Sequence, residues 1–132
     1  MKVEIETSVR HYGNPKGIGM ADATVIYIDQ KGDRHERKVT ADIKDSTKNA
    51  LALKIATKAL KVLVKPCDVA LQIDNKYIKN CVNNGWLEEW QKRNWKKANG
   101  KAPANLELWK ALYISLKIHH VTFVDKEKSE ND

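Results

Sequence analysis

The chain has little cysteine and no long apolar run. Its two cysteines, Cys67 and Cys81, are not spaced as metal ligands, so a cysteine-based metal site is excluded. Two buried thiols in a reducing compartment are expected instead. No apolar stretch approaches the roughly 20 residues that cross a bilayer as a helix. The first ten residues, MKVEIETSVR, lack the apolar centre of a signal peptide. The expectation is therefore a cytoplasmic chain with no membrane partner. Acidic residues are outnumbered, 17 against 24 Lys and Arg, for a net charge of +7. That excess favours a polyanionic partner without proving one. Internal repeats are absent. The length of 132 residues suits one domain with a real core. Residues 125–132 (DKEKSEND) are rich in charge and lack apolar side chains. Residues 1–124 are expected to form the domain and 125–132 a fraying tail.

Against these absences stands one concentrated segment, residues 85–103, GWLEEWQKRNWKKANGKAP. It holds three of the four tryptophans, Trp86, Trp90 and Trp95, interleaved with Lys92, Arg93, Lys96, Lys97 and Lys101. Those five cations against Glu88 and Glu89 leave a local charge of +3. Flat rings beside mobile cations suit a phosphate-lined groove. A solvated amphipathic helix with inward-facing tryptophans fits the local sequence as well.

The surrounding pattern supplies the context. Val3, Ile5, Thr7 and Val9 alternate with Lys2, Glu4, Glu6, Ser8 and Arg10, which predicts a strand. Residues 11–19 (HYGNPKGIG) read as a turn or loop. A second strand over 21–29 ends at a turn, 30–33, and 34–43 reads as a polar edge strand. Leu51, Ile55, Ala59, Val62 and Leu63 then recur at helical spacing, with Asp45 or Ser46 as the expected cap and Pro66 as the stop. Residues 68–73 (DVALQI) predict a buried parallel strand. Asp74 is the expected cap of a short helix, Gly85 breaks it, and the Trp/Lys segment begins another. Asn105 caps a last helix over 106–118, and 120–124 closes with a strand. The order βββαβαααβ predicts an α/β chain with a mixed five-stranded sheet and helices on its faces.

Four motifs within that order resemble type 1 ribonuclease H. They are Gly13-Asn14-Pro15 in the first hairpin, Ser46-Thr47-Lys48-Asn49 at the first helix, Gln72 to Ile78 (QIDNKYI) at the end of the fourth strand, and Trp86, Trp90 and Trp95 followed by Trp109. The resemblance implies a ribonuclease H-like fold. It makes the Trp/Lys segment a basic handle that grips the DNA strand of an RNA–DNA hybrid. It also implies groove contacts to sugar hydroxyls from Asn14 and Asn49.

The chemistry implied by the resemblance is hydrolysis by two Mg²⁺ ions held on carboxylates. Asp74 matches the carboxylate expected after the fourth strand. The expected first-strand Asp falls on Ser8, and the expected helix Glu falls on Ala52. The C-terminal helix Asp and its loop His find no counterpart in the sequence. Glu6, two residues from Ser8 on the same strand face, is a possible substitute, as is Asp125 or Glu127. A lone carboxylate holds Mg²⁺ weakly, so Mg²⁺ or Mn²⁺ is expected only if the chain is active. The reading is a monomeric nucleic-acid-binding domain with a degenerate metal site, taking RNA–DNA hybrid or double-stranded RNA. Its alternatives are an active divalent-metal ribonuclease H and a protein-interaction scaffold.

Overall fold

A computed structural model describes residues 1–125. The tail expected over 125–132 lies outside the described residues apart from Asp125. Three long strands come first: β1 (Lys2–Gly13), β2 (Lys16–Ile28) and β3 (Arg34–Thr47). Then follow α1 (Lys48–Lys61), β4 (Asp68–Gln72), α2 (Lys76–Asn83), α3 (Trp86–Lys92), α4 (Leu106–Ile118) and β5 (His120–Val124). The element order is the one the sequence predicts. The five strands form one sheet in the order β3-β2-β1-β4-β5. β1 pairs antiparallel with β2 and parallel with β4, and β4 is parallel to β5. The sheet is mixed, and β3 lies at its edge.

The alternation in β1 sorts the two faces. Val3 and Ile5 join Val25, Val69, Leu71 and Phe123 in one buried cluster with α1, Trp109 and Leu112. α1 packs closely on this face because Leu51, Leu53, Ile55, Ala56, Ala59 and Leu60 are all fully buried. The opposite face carries Glu4, Glu6, Ser8 and Arg10 outward. Among the described residues the core lies on one face of the sheet. The polar alternate residues of β1 leave little apolar surface to bury on the other.

Residues 11–19 are paired strand rather than loop, and only Asn14-Pro15 turns. The glycines there serve close approach. A Cβ on Gly17 would sit 1.8 Å from the Tyr12 carbonyl oxygen, and Gly13 adopts φ 137°, which disfavours any side chain. β3 likewise runs on to Thr47, so neither Asp45 nor Ser46 caps α1. Thr47 is the cap, its Oγ1 accepting from Ala50 N–H at 3.1 Å. Cys67 and Cys81 are both buried and free, as the sequence implies.

Candidate functional site

β1 and β4 are parallel neighbours, so their carboxyl ends lie side by side, where ligand crevices of open α/β sheets form. A cleft of about 170 Å³ opens there, lined by Ser8, Lys48, Ala52, Gln72, Asp74 and Asn75 among others. The structure thus brings together the three positions that the resemblance assigns to metal carboxylates. Asp74 is exposed, Ser8 offers a hydroxyl, and Ala52 presents a methyl that is 2% exposed.

Local hydrogen bonding explains the placement. Asn75, not Asp74, caps α2, its Oδ1 accepting from Ile78 N–H at 3.0 Å. Asp74 is therefore not spent on the helix end. Asn75 Nδ2 also donates to Asn49 Oδ1 at 2.8 Å, tying the first turn of α1 to that of α2. Thr7 N–H donates to Gln72 Oε1 at 3.0 Å, and Thr7 Oγ1 donates to the Gln72 carbonyl at 2.9 Å. With its oxygen fixed on Thr7, Gln72 keeps its amide nitrogen buried and without a partner among the described residues.

This donor set does not fit a pair of Mg²⁺ ions. Mg²⁺ demands hard oxygen ligands in near-octahedral order, and the charged residues lining the cleft are one acid, Asp74, and one base, Lys48. Among the described residues no three His, Cys, Asp or Glu side chains are grouped to hold a metal. Glu6 does share the outward face with Ser8, but it lines a neighbouring, wider cleft with Glu4, Asp22 and Asp125. Asp125 is paired with Lys79 on α2. Glu127 lies outside the described residues.

The Trp/Lys segment splits between core and surface. Gly85 begins α3 at φ 78°, and the helix ends by Lys92. Trp90 is 8% exposed and meets Trp109 edge-on at 5.5 Å. Read from the sequence as a nucleic-acid contact, its ring is instead enclosed in the core. Trp95 stands edge-on to Tyr113 at 5.6 Å under Lys110, half-buried. Trp86 is the open ring, at 45% exposure. Lys92, Arg93, Lys96 and Lys101 are exposed and Lys97 is half-buried. Both acids of the segment are engaged. Glu88 pairs with Lys117 at 2.5 Å and accepts from Tyr113, and Glu89 pairs with Arg93 at 3.6 Å. The Lys117 ammonium holds the Glu88 carboxyl below its ordinary range. Lys92, Lys96, Lys97 and Lys101 have no ion-pair partner among the described residues. Asn14 is exposed at the tip of the β1–β2 hairpin.

Sequence reasoning passed over Lys48, Gln72 and Asn75 as cleft residues. The signal was present for two of them. Lys48 is inside the motif that opens α1, and Asn75 follows Asp74 directly. Gln72 reads from sequence as an interior strand position, and only the partner strand reveals its unpaired amide.

Comparison with known proteins places this geometry. The RNase H family model matches residues 8–125. A ribonuclease H of Lachnoclostridium phytofermentans is 37% identical over 123 residues, covering 93% of this chain and 78% of that protein. A ribonuclease H of Chlorobium phaeobacteroides is 37% identical over 131 residues, covering 99% and 85%. Among solved structures, LC9-RNase H1, described as a type 1 RNase H with the type 2 active-site motif, superposes with a TM-score of 0.78 at 25% identity. That match covers 98% of this chain and 64% of the other. The fold, the order of its motifs and the extent of these matches together establish that the chain belongs to the RNase H family.

Proposed function

We propose that this domain binds RNA–DNA hybrid, or double-stranded RNA, and that its cleavage chemistry is impaired. The observation that carries the reading is the cleft: it gathers Ser8 and Ala52, which the resemblance sets at two carboxylate positions, and Asp74 as its one acid. The metals of a two-metal hydrolase supply several kcal/mol of transition-state stabilisation, and about 1.4 kcal/mol is a factor of ten in rate. A hydroxyl and a methyl do not replace two charged oxygen ligands.

The surface that would hold the duplex is better equipped. Trp86 offers an open ring, Lys92 ends α3, and Lys96, Lys97 and Lys101 lie in the loop that follows. Phosphate contacts release counterions, so affinity for a hybrid is expected to fall steeply with salt. The test is a salt titration of hybrid binding by the wild type and by the double variant Lys96→Glu, Lys97→Glu. The expected result is a log–log slope shallower by about two in the variant. Equal slopes would remove the handle from the interface.

An active metal-dependent ribonuclease H is the second reading. It is supported by the relatives named ribonuclease H at 37% identity over most of the chain. A scaffold role has one supporting feature, the edge position of β3, whose free side can pair with a partner strand.

A further inference from the structure

The positive charge of this chain is unevenly placed. Residues 34–65 hold nine of the Lys and Arg side chains and only three acids, Glu36, Asp42 and Asp45. Their balance of +6 is most of the chain's +7. From Ser46 to Cys67 there are five lysines and no acid. The stretch is more basic than the Trp/Lys segment, and a grip through the handle makes no use of it.

The fold gathers this charge into a stripe. Lys54, Lys58 and Lys61 follow one another at four and three residues, so they share one exposed face of α1. Lys54 Nζ donates to the Asp42 carbonyl at 2.7 Å, and Lys58 Nζ donates to the Thr40 carbonyl. Both ammoniums are thereby seated along β3, at the sheet edge. Arg37 pairs in register with the buried Val25, so it stands on the sheet face that α1 covers. Lys65 follows the helix and is exposed. None of these five cations has an ion-pair partner among the described residues. Helix stability accounts for part of the pattern, because the C-terminal end of α1 favours Lys58 and Lys61. It does not call for Lys54, Lys65 or Arg37, and ammoniums four residues apart repel.

What the stripe lacks selects its partner. Residues 34–65 contain no Phe, Tyr or Trp. No ring is there to stack on an unpaired base. The aromatic anchors that protein interfaces favour are missing too, and lysine, which such interfaces deplete, is abundant. A strand added at Thr40–Asp42 would have to displace both ammoniums from the edge carbonyls. An ammonium has three donors and spends one on that edge, which leaves two for phosphate oxygens. The handle lies elsewhere. α1 packs against β3, β2 and β1, and α4 packs against α1 and β5. Trp90 and Trp95 of the handle pack on Trp109 and Tyr113 of α4. The stripe is thus on the β3 flank and the handle on the α4 flank.

From this placement we infer that Arg37, Lys54, Lys58, Lys61 and Lys65 form a second nucleic-acid surface, which takes the phosphate backbone of a duplex without reading its bases. The inference rests on the reading that the domain binds a duplex, but not on the handle as the grip. Its contacts are to phosphate alone, so they add affinity that is independent of sequence and falls with salt.

The test titrates a short RNA–DNA hybrid into the ¹⁵N-labelled full chain, as wild type and as Lys96→Glu, Lys97→Glu. Poly-glutamate at equal charge serves as the acidic-protein probe. Saturable shifts are expected at Arg37, Lys54, Lys58 and Lys61 with the hybrid in both proteins, and weaker ones with poly-glutamate. The triple variant Lys54→Gln, Lys58→Gln, Lys61→Gln is expected to bind with a log–log salt slope shallower by about two to three. The matching triple Lys→Arg variant, which keeps the charge, is expected to retain the wild-type slope. The shifts are read on the unsubstituted stripe, so they decide even if the Gln variant does not fold. Silence at these amides with the hybrid overturns the inference, as does an unchanged slope in the Gln variant. Poly-glutamate shifting them as strongly as the hybrid also overturns it and makes the partner an acidic protein. If the stripe stays silent while the hybrid shifts residues 86–101, the inference falls and the handle stands. If the hybrid shifts the stripe and leaves 86–101 untouched, the reverse holds.

Discussion

Asn75 Nδ2 donates to Asn49 Oδ1 at 2.8 Å, joining the starts of two helices 26 residues apart in sequence. The same Asn75 caps its own helix through Oδ1. One side chain thus fixes where α2 begins and how far it stands from α1. The cleft between them takes its shape from that bond.

Removing it separates its two parts. Asn75→Ala loses both the cap and the bridge and is expected to cost about 1–2 kcal/mol. Asn49→Ala loses only the bridge and is expected to cost about 0.5–1.5 kcal/mol. Urea unfolding of both single variants and the double variant checks this. The double is expected to lose less than the two costs combined, because the bridge can be lost only once.

The tryptophans of the basic segment are expected to divide by role. Trp90→Ala opens a cavity against Trp109 and should cost about 3–5 kcal/mol of stability. Trp86→Ala should leave stability within about 0.5 kcal/mol, yet weaken hybrid binding by about 1–3 kcal/mol through lost stacking. Thermal melts alongside fluorescence anisotropy distinguish the two. A Trp86→Ala variant with unchanged affinity would place the duplex elsewhere.

How much of this was legible beforehand differs by residue. The period-two pattern of β1 and the helical stripe of α1 announced the fold, because each buries one face against the other. Trp90 and Trp86 could not be told apart, since both are large rings beside cations. Only Trp109, reached from α4, decides which one is enclosed. Glycine density hid the long β1–β2 hairpin. Gly17 is there because two backbones nearly touch, which mimics the composition of a loop. That Ser8 and Ala52 fall where the resemblance expects carboxylates was readable by register alone. Their meeting with Lys48 and Gln72 in one cleft required the sheet order.

Acid pH should destabilise the fold through His119. Its buried Nδ1 accepts from Cys67 N–H at 3.1 Å, so the neutral ring is the native form. Burial lowers its pKa from an ordinary 6.5. As pH falls past that value the unfolded chain takes up the proton first, so stability rises with pH in this range. The contribution is complete above about 6.5 and is lost as pH falls through the lower, folded-state value. The carboxyls of Asp29, Asp68 and Glu88, also held low, act only in a more acid window. Denaturant midpoints for the wild type and His119→Gln between pH 5 and 8, about the range in which histidine titrates, are expected to converge at the acid end. Parallel curves would assign the pH dependence to another group.

The central claim is that the domain keeps its grip on a duplex while the cleft no longer supports metal-dependent cleavage. The most direct measurement is binding and cleavage of one RNA–DNA hybrid by the wild type and Asp74→Asn, each in Mn²⁺ and in EDTA. The account predicts wild-type affinity that is nearly the same with and without metal, and no RNA cleavage that depends on Asp74. Mn²⁺-dependent cleavage by the wild type that disappears in Asp74→Asn would contradict it and make this chain a working ribonuclease H.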